Sequence, residues 1–142
     1  MAIQQGATNT FKVGMPNGDF DFGTDTFKIA LYTASASIGP DTTAYTTDGE
    51  VVATGYTAGG ETLTVSQAPT IGNQTGNATA YLSFSNVSWT SALTARGALI
   101  YKSGGSNPTV CVLDFGSDKT STTTFTVQFP AVTSTAAIIR IS

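Results

Sequence analysis

The sequence predicts an all-β protein: an antiparallel two-sheet β-sandwich or jelly-roll-like domain. Three observations predict this class. The 142 residues include 26 Thr and 15 Gly, while only 11% are charged, against a usual share of about 25%. Apolar and polar residues alternate in several short stretches, and clusters of Gly, Asn and Pro separate those stretches. Because the β-branched side chain of Thr fits a pleated surface better than a helix, the composition favours strands.

The alternating stretches define the predicted strands, which occupy a single domain at residues 26–142. Each stretch has one apolar face and one polar face, as expected of an antiparallel strand with one side against a core. The side chains predicted to be buried are Phe27, Leu31, Leu82, Leu113, Phe125 and Ile139. Tyr32 falls on the opposite face from Phe27 and Leu31. Two turn connections between neighbouring strands are predicted at the Gly- and Asn-rich stretches 71–78 and 102–109.

Two segments interrupt this alternation. Residues 1–25 are rich in Gly and are predicted to form an extended N-terminal arm, with one short strand around Phe11 and Val13. Residues 35–61 form a long Gly- and Thr-rich excursion, with a helical turn predicted near residues 43–47. A connection of this length is unusual in a compact domain and is often functional. The candidate partner-binding residues are therefore Phe11, Val13 and Met15 on the arm, with Tyr45 and Tyr56 on the excursion.

The composition argues against several classes of function. The chain has no His, the commonest general base and zinc ligand, and its six cations are scattered singly in a net charge of −3. Nucleic-acid binding needs a basic stripe, so no nucleic-acid partner is expected. No run approaches the ~20 apolar residues of a membrane span, so no membrane partner is expected. The start of the chain lacks the pattern of a signal peptide, which predicts synthesis in a cytoplasm.

The tripeptide Asp-Phe-Gly occurs twice, beginning at Asp21 and at Asp114, and protein kinases use the same tripeptide to hold magnesium. A kinase also needs a Gly-rich loop, a strand lysine and a His-Arg-Asp loop, which this chain does not offer. We interpret each triplet as a turn that ends one strand and leads into another beginning at Thr-Phe. Clustered Asp19, Asp21 and Asp25 leave a weak surface cation site open, although the spacing does not fit an EF-hand.

No catalytic residue and no cofactor is predicted. A Ser or Thr nucleophile without His needs a Lys or an N-terminal amine as its base, and no local pattern supplies one. Glu50 and Glu61 flank the excursion, but most other carboxyl groups lie in turn contexts that do not suit glycoside hydrolysis. The aromatic residues Trp89, Tyr45, Tyr56 and Tyr81 could line a carbohydrate groove, although aromatic residues in a sandwich more often pack in the core or at its rim. These observations favour a protein that binds without reacting.

Four stretches resemble a family of small virion structural proteins of tailed bacteriophages. They are DTFKIALYTASASIGPDTTAYTTDGEV, GYTAGGETL, TARGALIY and VLDFGSDK, and they cover most of residues 24–119. The resemblance implies a protein of the virion. A small sandwich with an extended arm suits a capsid decoration (cement) protein, which binds the outer head surface and bridges subunits of the major capsid protein. A homotrimer is expected because three weak contacts then act together.

Two alternatives stay open within this hypothesis. A tail or head fibre (adaptor) module would contact the host surface, with exposed Trp89, Tyr45 or Tyr56 binding glycan. A hydrolase domain of a tail component is the other alternative, and the missing acid and base residues count against it. In the decoration hypothesis, residues 1–25 lie along the capsid or a neighbouring subunit and pair by strand addition. The excursion then supplies side-chain contacts.

Overall fold

The computed structural model describes residues 2–72, 79–133 and 136–141, and it confirms the all-β class. Ten strands and one short helix lie within these residues. In chain order they are β1 (Gly6–Ala7), α1 (Asn9–Asn17), β2 (Phe27–Tyr32), β3 (Glu61–Thr62), β4 (Val65–Gly72), β5 (Thr79–Phe84), β6 (Val87–Trp89), β7 (Thr94–Lys102), β8 (Thr109–Thr120), β9 (Phe125–Val127) and β10 (Ile139–Ile141).

The strands form three antiparallel sheets in a sandwich-like arrangement. The five-stranded sheet has the order β1-β8-β7-β2-β3, the three-stranded sheet β10-β5-β4 and the two-stranded sheet β6-β9. The hairpin predicted at 102–109 is confirmed, since it joins β7 to β8 through Gly104, Gly105 and Asn107, which all have positive φ. β4 and β5 are antiparallel neighbours as predicted, while residues 73–78 between them lie outside the described residues.

The main hydrophobic core lies between the five-stranded sheet and the two smaller sheets. All three sheets contribute to it, through residues such as Ile29, Ile100, Phe84, Ile139, Trp89 and Phe125. Of the six side chains predicted to be buried, five are confirmed: Phe27, Leu31, Leu82, Phe125 and Ile139. Leu113 is only half-buried, so that prediction is wrong. The reason is that Leu113 packs against the main core at a place where the core is open to a surface cavity.

A second core lies on the opposite face of the five-stranded sheet. Tyr32, assigned by its alternation to the face opposite the core, is fully buried here with Leu99 and Val112. The layer that covers them comes from the chain start and the excursion, where Ile3 and Ile38 form a parallel bridge. Both faces of this sheet are therefore buried, which explains why the β2 stretch FKIALY is apolar at five of its six positions.

The excursion is fixed to the body of the protein at several points. Glu50 bridges Tyr32, so the excursion continues the sheet edge that β3 begins. The helical turn predicted near residues 43–47 is wrong, because this backbone pairs with the start of β8. The Tyr45 N–H donates to the Asn107 carbonyl (3.0 Å), and the Thr109 N–H donates to the Thr43 carbonyl (3.1 Å). The backbone of the excursion therefore belongs to the fold.

The N-terminal segment is not the extended arm that the sequence predicts, because α1 replaces the strand expected around Phe11 and Val13. Thr8 caps this helix by accepting a hydrogen bond from the Phe11 N–H (3.1 Å), and Gly18 ends it at φ 77°. Pro16 lies near the C-terminal end of the helix, one residue before its last residue Asn17. Phe11 is 2% exposed, so α1 is part of the fold, and its backbone is not available for strand addition to a partner.

Candidate functional site

The five residues predicted to bind a partner lie in two separate regions of the molecule. Phe11, Val13 and Met15 lie on α1, and two of them line an apolar groove. Tyr45 and Tyr56 lie on the excursion and share one hydrogen-bond cluster. The two regions have opposite physical characters, since one is an internal polar cluster and the other an open apolar surface.

The polar region is the tyrosine cluster, defined as Tyr45, Glu50, Tyr56, Gly59 and Tyr101. The Tyr45 hydroxyl donates to Glu50 Oε2 (2.6 Å), while the Tyr56 hydroxyl and the Gly59 N–H donate to Glu50 Oε1 (2.7 and 2.8 Å). The Tyr101 hydroxyl donates to the Gly59 carbonyl (2.7 Å). Glu50 is only 7% exposed. A carboxylate is an acceptor-only group, so three donors around it form a satisfied buried arrangement.

The tyrosines of this cluster resist ionisation. Burial raises the pKa of Tyr56 well above its ordinary value, with a further increase from neighbouring Glu50. Burial also raises the pKa of Tyr45, and its hydrogen bond to Glu50 adds to the effect. The pKa of Tyr101 is raised to about 12 by burial and by the charge of Glu50. These hydroxyls therefore stay protonated at neutral pH, and the cluster supplies no phenolate base or nucleophile there.

The aromatic side chains proposed to bind glycan are largely inside the protein. Trp89 is 2% exposed and packs beside Tyr56 and Phe125. Tyr56 is 9% exposed, and Tyr45 is half-buried against the ring of Tyr101, with 4.8 Å between ring centroids. The exposure that the glycan-binding alternative requires of Trp89 and Tyr56 is not found, because both rings belong to the core.

In each of the two Asp-Phe-Gly triplets, the aspartate accepts a hydrogen bond from the backbone N–H of the glycine. Asp21 accepts from the Gly23 N–H and Asp114 from the Gly116 N–H, both at 2.8 Å. These hydrogen bonds are the main reason why the pKa of each carboxyl lies below its ordinary value. The first triplet precedes β2, as predicted. The second does not end its strand, because Gly116 lies in an irregular part of β8 opposite β7.

Lys102 occupies the acidic turn at residues 19–25. Its Nζ donates to the Asp19 carbonyl (2.6 Å) and lies 3.2 Å from Asp25 Oδ2. Asp25 also accepts from the Asp21 N–H (2.8 Å). Within the described ranges, no group of three or more His, Cys, Asp or Glu side chains is arranged to hold a metal ion. The contacts of this turn connect its backbone and its Asp25 carboxylate to Lys102 at the end of β7.

The apolar region is the α1–β10 groove, a cavity of about 350 Å³ that opens to the surface. β10 lines one side, while α1, β1 and β8 line the other through Phe11, Met15 and Cys111. The Cys111 thiol is buried, and burial raises its pKa to about 12. A thiol in this state is a poor nucleophile, so it acts as an apolar part of the wall.

The groove lies where the sandwich is open. β1 is the end strand of the five-stranded sheet and β10 is the end strand of the three-stranded sheet, and both border the groove. α1 covers part of this opening by inserting Phe11, which makes an edge-to-face contact with Phe20 at 5.1 Å. Val13, on the same helix, is 64% exposed, and Met15 is half-buried. The groove and α1 together form the candidate interaction surface.

Comparisons with protein-family models, with curated proteins and with solved structures return no match for this chain. The helix in the described part of the chain is too short and too polar to cross a membrane.

Sequence reasoning missed two features, the central position of Glu50 and the groove beside β10. One feature of the sequence could have indicated that Glu50 is buried. It is one of only two Glu in the chain, and it stands directly before two valines. The groove had no signal because distant segments form it.

Proposed function

We propose that this chain is a non-enzymatic structural protein of a bacteriophage virion, and specifically a capsid decoration protein. In this proposal it binds the major capsid protein on the outer head surface and bridges capsid subunits. The observation that carries the proposal is the division between a closed polar cluster and an open apolar surface. The polar groups around Glu50 bond to one another, while the apolar groove beside α1 is left accessible. Such a surface suits binding better than chemistry.

The carboxyl groups that drew attention in the sequence have structural contacts. Glu50 accepts three hydrogen bonds inside the protein, and Asp21 and Asp114 each accept one from the glycine of their own triplet. Asp114 also pairs with Arg96, whose Nε lies 3.4 Å from Asp114 Oδ1. A general acid or base needs a group within reach of a substrate proton. These carboxyl groups are committed to the chain itself, which favours a protein without catalytic activity.

The resemblance of four stretches to small virion proteins of tailed bacteriophages supports the virion location. The low charged fraction of 11% also agrees with a protein whose surface lies in contacts, because interface cores are depleted in charge. A homotrimer at a local three-fold position of the capsid would combine three weak contacts into one strong attachment. The groove and α1 are the surface that we assign to capsid binding.

The alternative function, a fibre or adaptor module that binds host glycan, has less support. It needs aromatic rings that are exposed to stack on sugars. Trp89 and Tyr56 are at most 9% exposed. Tyr45 stacks on Tyr101 and donates its hydroxyl to Glu50, so its polar end is occupied. The decoration protein is therefore the function that we prefer.

The number of copies per virion tests this proposal. Virions purified from the culture whose phage encodes the chain would be analysed by quantitative mass spectrometry against the major capsid protein. A decoration protein is expected at a copy number close to that of the capsid subunit. A copy number in the tens would favour the fibre module, and absence from purified virions would contradict both.

A further inference from the structure

We propose that a second cavity, the β8–β9 cavity, binds an acidic saccharide, meaning a sugar ring that carries a carboxylate. The cavity is lined by Phe115, residues 119–121 and residues 124–128. This inference goes beyond the proposed function and does not rest on it. It depends on three features of the lining: a lysine that has no ion partner among the described residues, an aromatic floor and a rim of uncharged polar groups.

The β8–β9 cavity lies where the chain crosses from one sheet to another. β8 pairs with β7 in the five-stranded sheet, and β9 pairs with β6 in the two-stranded sheet. β1 pairs with β8 at Cys111 and Val112, so it does not reach the residues that line this cavity. The volume is about 440 Å³, within the range of roughly 300–1,000 Å³ that is usual for small-ligand sites. The dimensions therefore suit a small ligand such as one sugar ring.

Lys119 lies on the side of the sheet that faces the core. It is directly opposite Ala95 of β7, and side chains in directly opposite positions share one face of a sheet. Ala95 is 0% exposed and belongs to the main core. Lys119 is exposed, so it marks the place where this face leaves the core and borders the cavity.

The ammonium group of Lys119 has no hydrogen-bond or ion-pair partner within the described ranges. Arg96 and Lys102 differ in this respect, since their side chains lie 3.4 and 3.2 Å from the carboxylates of Asp114 and Asp25. In the part of the chain that the structure describes, no Asp or Glu lines the cavity. Opposite charges orient a ligand, so a ligand with a carboxylate complements Lys119.

The floor of the cavity is aromatic. The ring centroids of Phe115 and Phe125 lie 6.1 Å apart. Phe125 is 7% exposed, whereas Phe115 is half-buried and has part of its surface in the cavity. The apolar C–H face of a sugar ring would cover this surface, and removing apolar area from water is favourable. An inorganic anion would pair with Lys119 but leave the Phe115 ring in contact with water.

The rim of the cavity consists of uncharged polar groups. Thr124 and Gln128 are exposed, and neither side chain has a hydrogen-bond partner among the residues described. A hydroxyl and an amide each donate and accept hydrogen bonds, as the hydroxyls of a sugar do. A fatty acid offers no such groups along its chain. The rim therefore favours a saccharide over other ligands that combine a carboxylate with an apolar body.

The β8–β9 cavity is separate from the other candidate surfaces of the molecule. It shares no lining residue with the α1–β10 groove within the described ranges. It also involves none of the buried rings, Trp89, Tyr45 and Tyr56, that the glycan-binding alternative requires. Sugar binding and capsid binding are therefore separable by mutation.

The test is a nuclear magnetic resonance titration of the isotopically labelled full chain with three probes. These are methyl glucuronide, methyl glucoside, which lacks the carboxylate, and sodium acetate, which lacks the sugar ring. We expect both sugars to shift the amide signals of residues 115–128 in a saturable way. The glucuronide should bind about threefold more tightly than the glucoside, as expected of one exposed ion pair. Acetate should give no saturable shift at the same concentrations.

Variants at two positions separate the roles of charge and ring. Lys119→Gln should bind the two sugars equally, because it removes the cation, and Lys119→Arg should keep the preference for the glucuronide. Phe115→Leu should weaken the binding of both sugars, because it removes the aromatic floor. The amide spectrum of each variant without sugar shows whether the fold is kept.

Four results would overturn the inference. These are an absence of saturable shifts with either sugar, equal binding of the two sugars by the wild type, a preference that persists in Lys119→Gln, and shifts with acetate equal to those with the glucuronide. The last result would mean that Lys119 binds any carboxylate. The titration uses no virions, so its outcome is independent of the copy number that tests the proposed function.

Discussion

The tyrosine cluster and the α1–β10 groove each contain residues to which the sequence assigned partner binding, and they differ in how their polar and apolar groups are used. In the cluster, Glu50 and the tyrosines around it bond to one another inside the protein. In the groove, apolar side chains and the edge of β10 border an open space. The difference teaches that aromatic residues on a long excursion can stabilise the fold, while the proposed binding surface lies where two sheets end.

The largest expected effect concerns a glycine that lets the excursion approach the sheet. Gly60 has φ 77°, and a Cβ at this position would collide with the Ile29 carbonyl oxygen. We expect Gly60→Ala to lower the free energy of unfolding by about 4 kcal/mol, measured by chemical denaturation. Gly105→Ala is the control, because Gly105 has φ 61° with no atom within 4 Å of its Cβ position. The control should cost about 1 kcal/mol. Equal losses would mean that the close packing of the excursion is unimportant.

The next effect tests whether Glu50 has a structural role. Glu50→Ala leaves the Tyr45 and Tyr56 hydroxyls and the Gly59 N–H without their acceptor, so we expect a loss of about 3 kcal/mol in unfolding free energy. Glu50→Gln keeps the size and one acceptor oxygen, and it should cost about 1 kcal/mol. Denaturation curves of both variants measure the difference. If neither variant is destabilised, the cluster does not hold the excursion in place.

High pH should destabilise the protein through the tyrosine cluster and also through Cys111 in the groove wall, because burial raises the pKa of both kinds of group. The folded pKa of Tyr101 is about 12, while that of an unfolded tyrosine is about 10. Above pH 10 the unfolded chain therefore binds fewer protons than the folded chain, so stability falls as the pH rises. The contribution of Tyr101 is fully present below pH 10 and is lost towards pH 12. We expect tyrosinate absorbance from the cluster to appear together with unfolding. Ionisation of Tyr45, Tyr56 and Tyr101 near pH 10 in the folded protein would contradict this account.

The smallest expected effect on stability is at the groove. Ile141→Asp should change the free energy of unfolding by less than about 0.5 kcal/mol, because the side chain is half exposed and lies at the end of a short strand. Ile71→Asp, on β4 at the far edge of the same sheet, should behave in the same way. A thermal or chemical denaturation series compares the two variants. A large loss for Ile141→Asp alone would mean that this edge serves the core and is not a free surface.

The strands could be predicted because their signal is local. Alternation placed Phe27, Leu82 and Phe125 correctly in the core. The face of β2 on which Tyr32 lies could be predicted, but its burial could not. That burial depends on the layer formed by the chain start and the excursion. α1 was missed because Gly14 and Pro16 are typical of loops. In the structure, Gly14 packs so closely on the Phe20 ring that a Cβ there would collide with it.

The candidate site was harder to predict than the fold. Glu50 and Tyr101 are 51 residues apart in the sequence, and their roles depend on the excursion folding back onto the sheet. The groove joins α1, near the start, to β10, near the end. Sequence patterns report on neighbours along the chain, so a surface assembled from both ends of it leaves no local pattern.

The most direct test of the central claim is co-sedimentation of the purified protein with capsids that lack it. The account predicts that the wild type and Ile71→Asp sediment with the particles to the same extent. Ile141→Asp should bind at least about tenfold more weakly. In a homotrimer the loss of affinity at each groove acts on all three linked sites together. Equal binding of all three proteins would contradict the claim that the α1–β10 groove attaches this protein to the capsid.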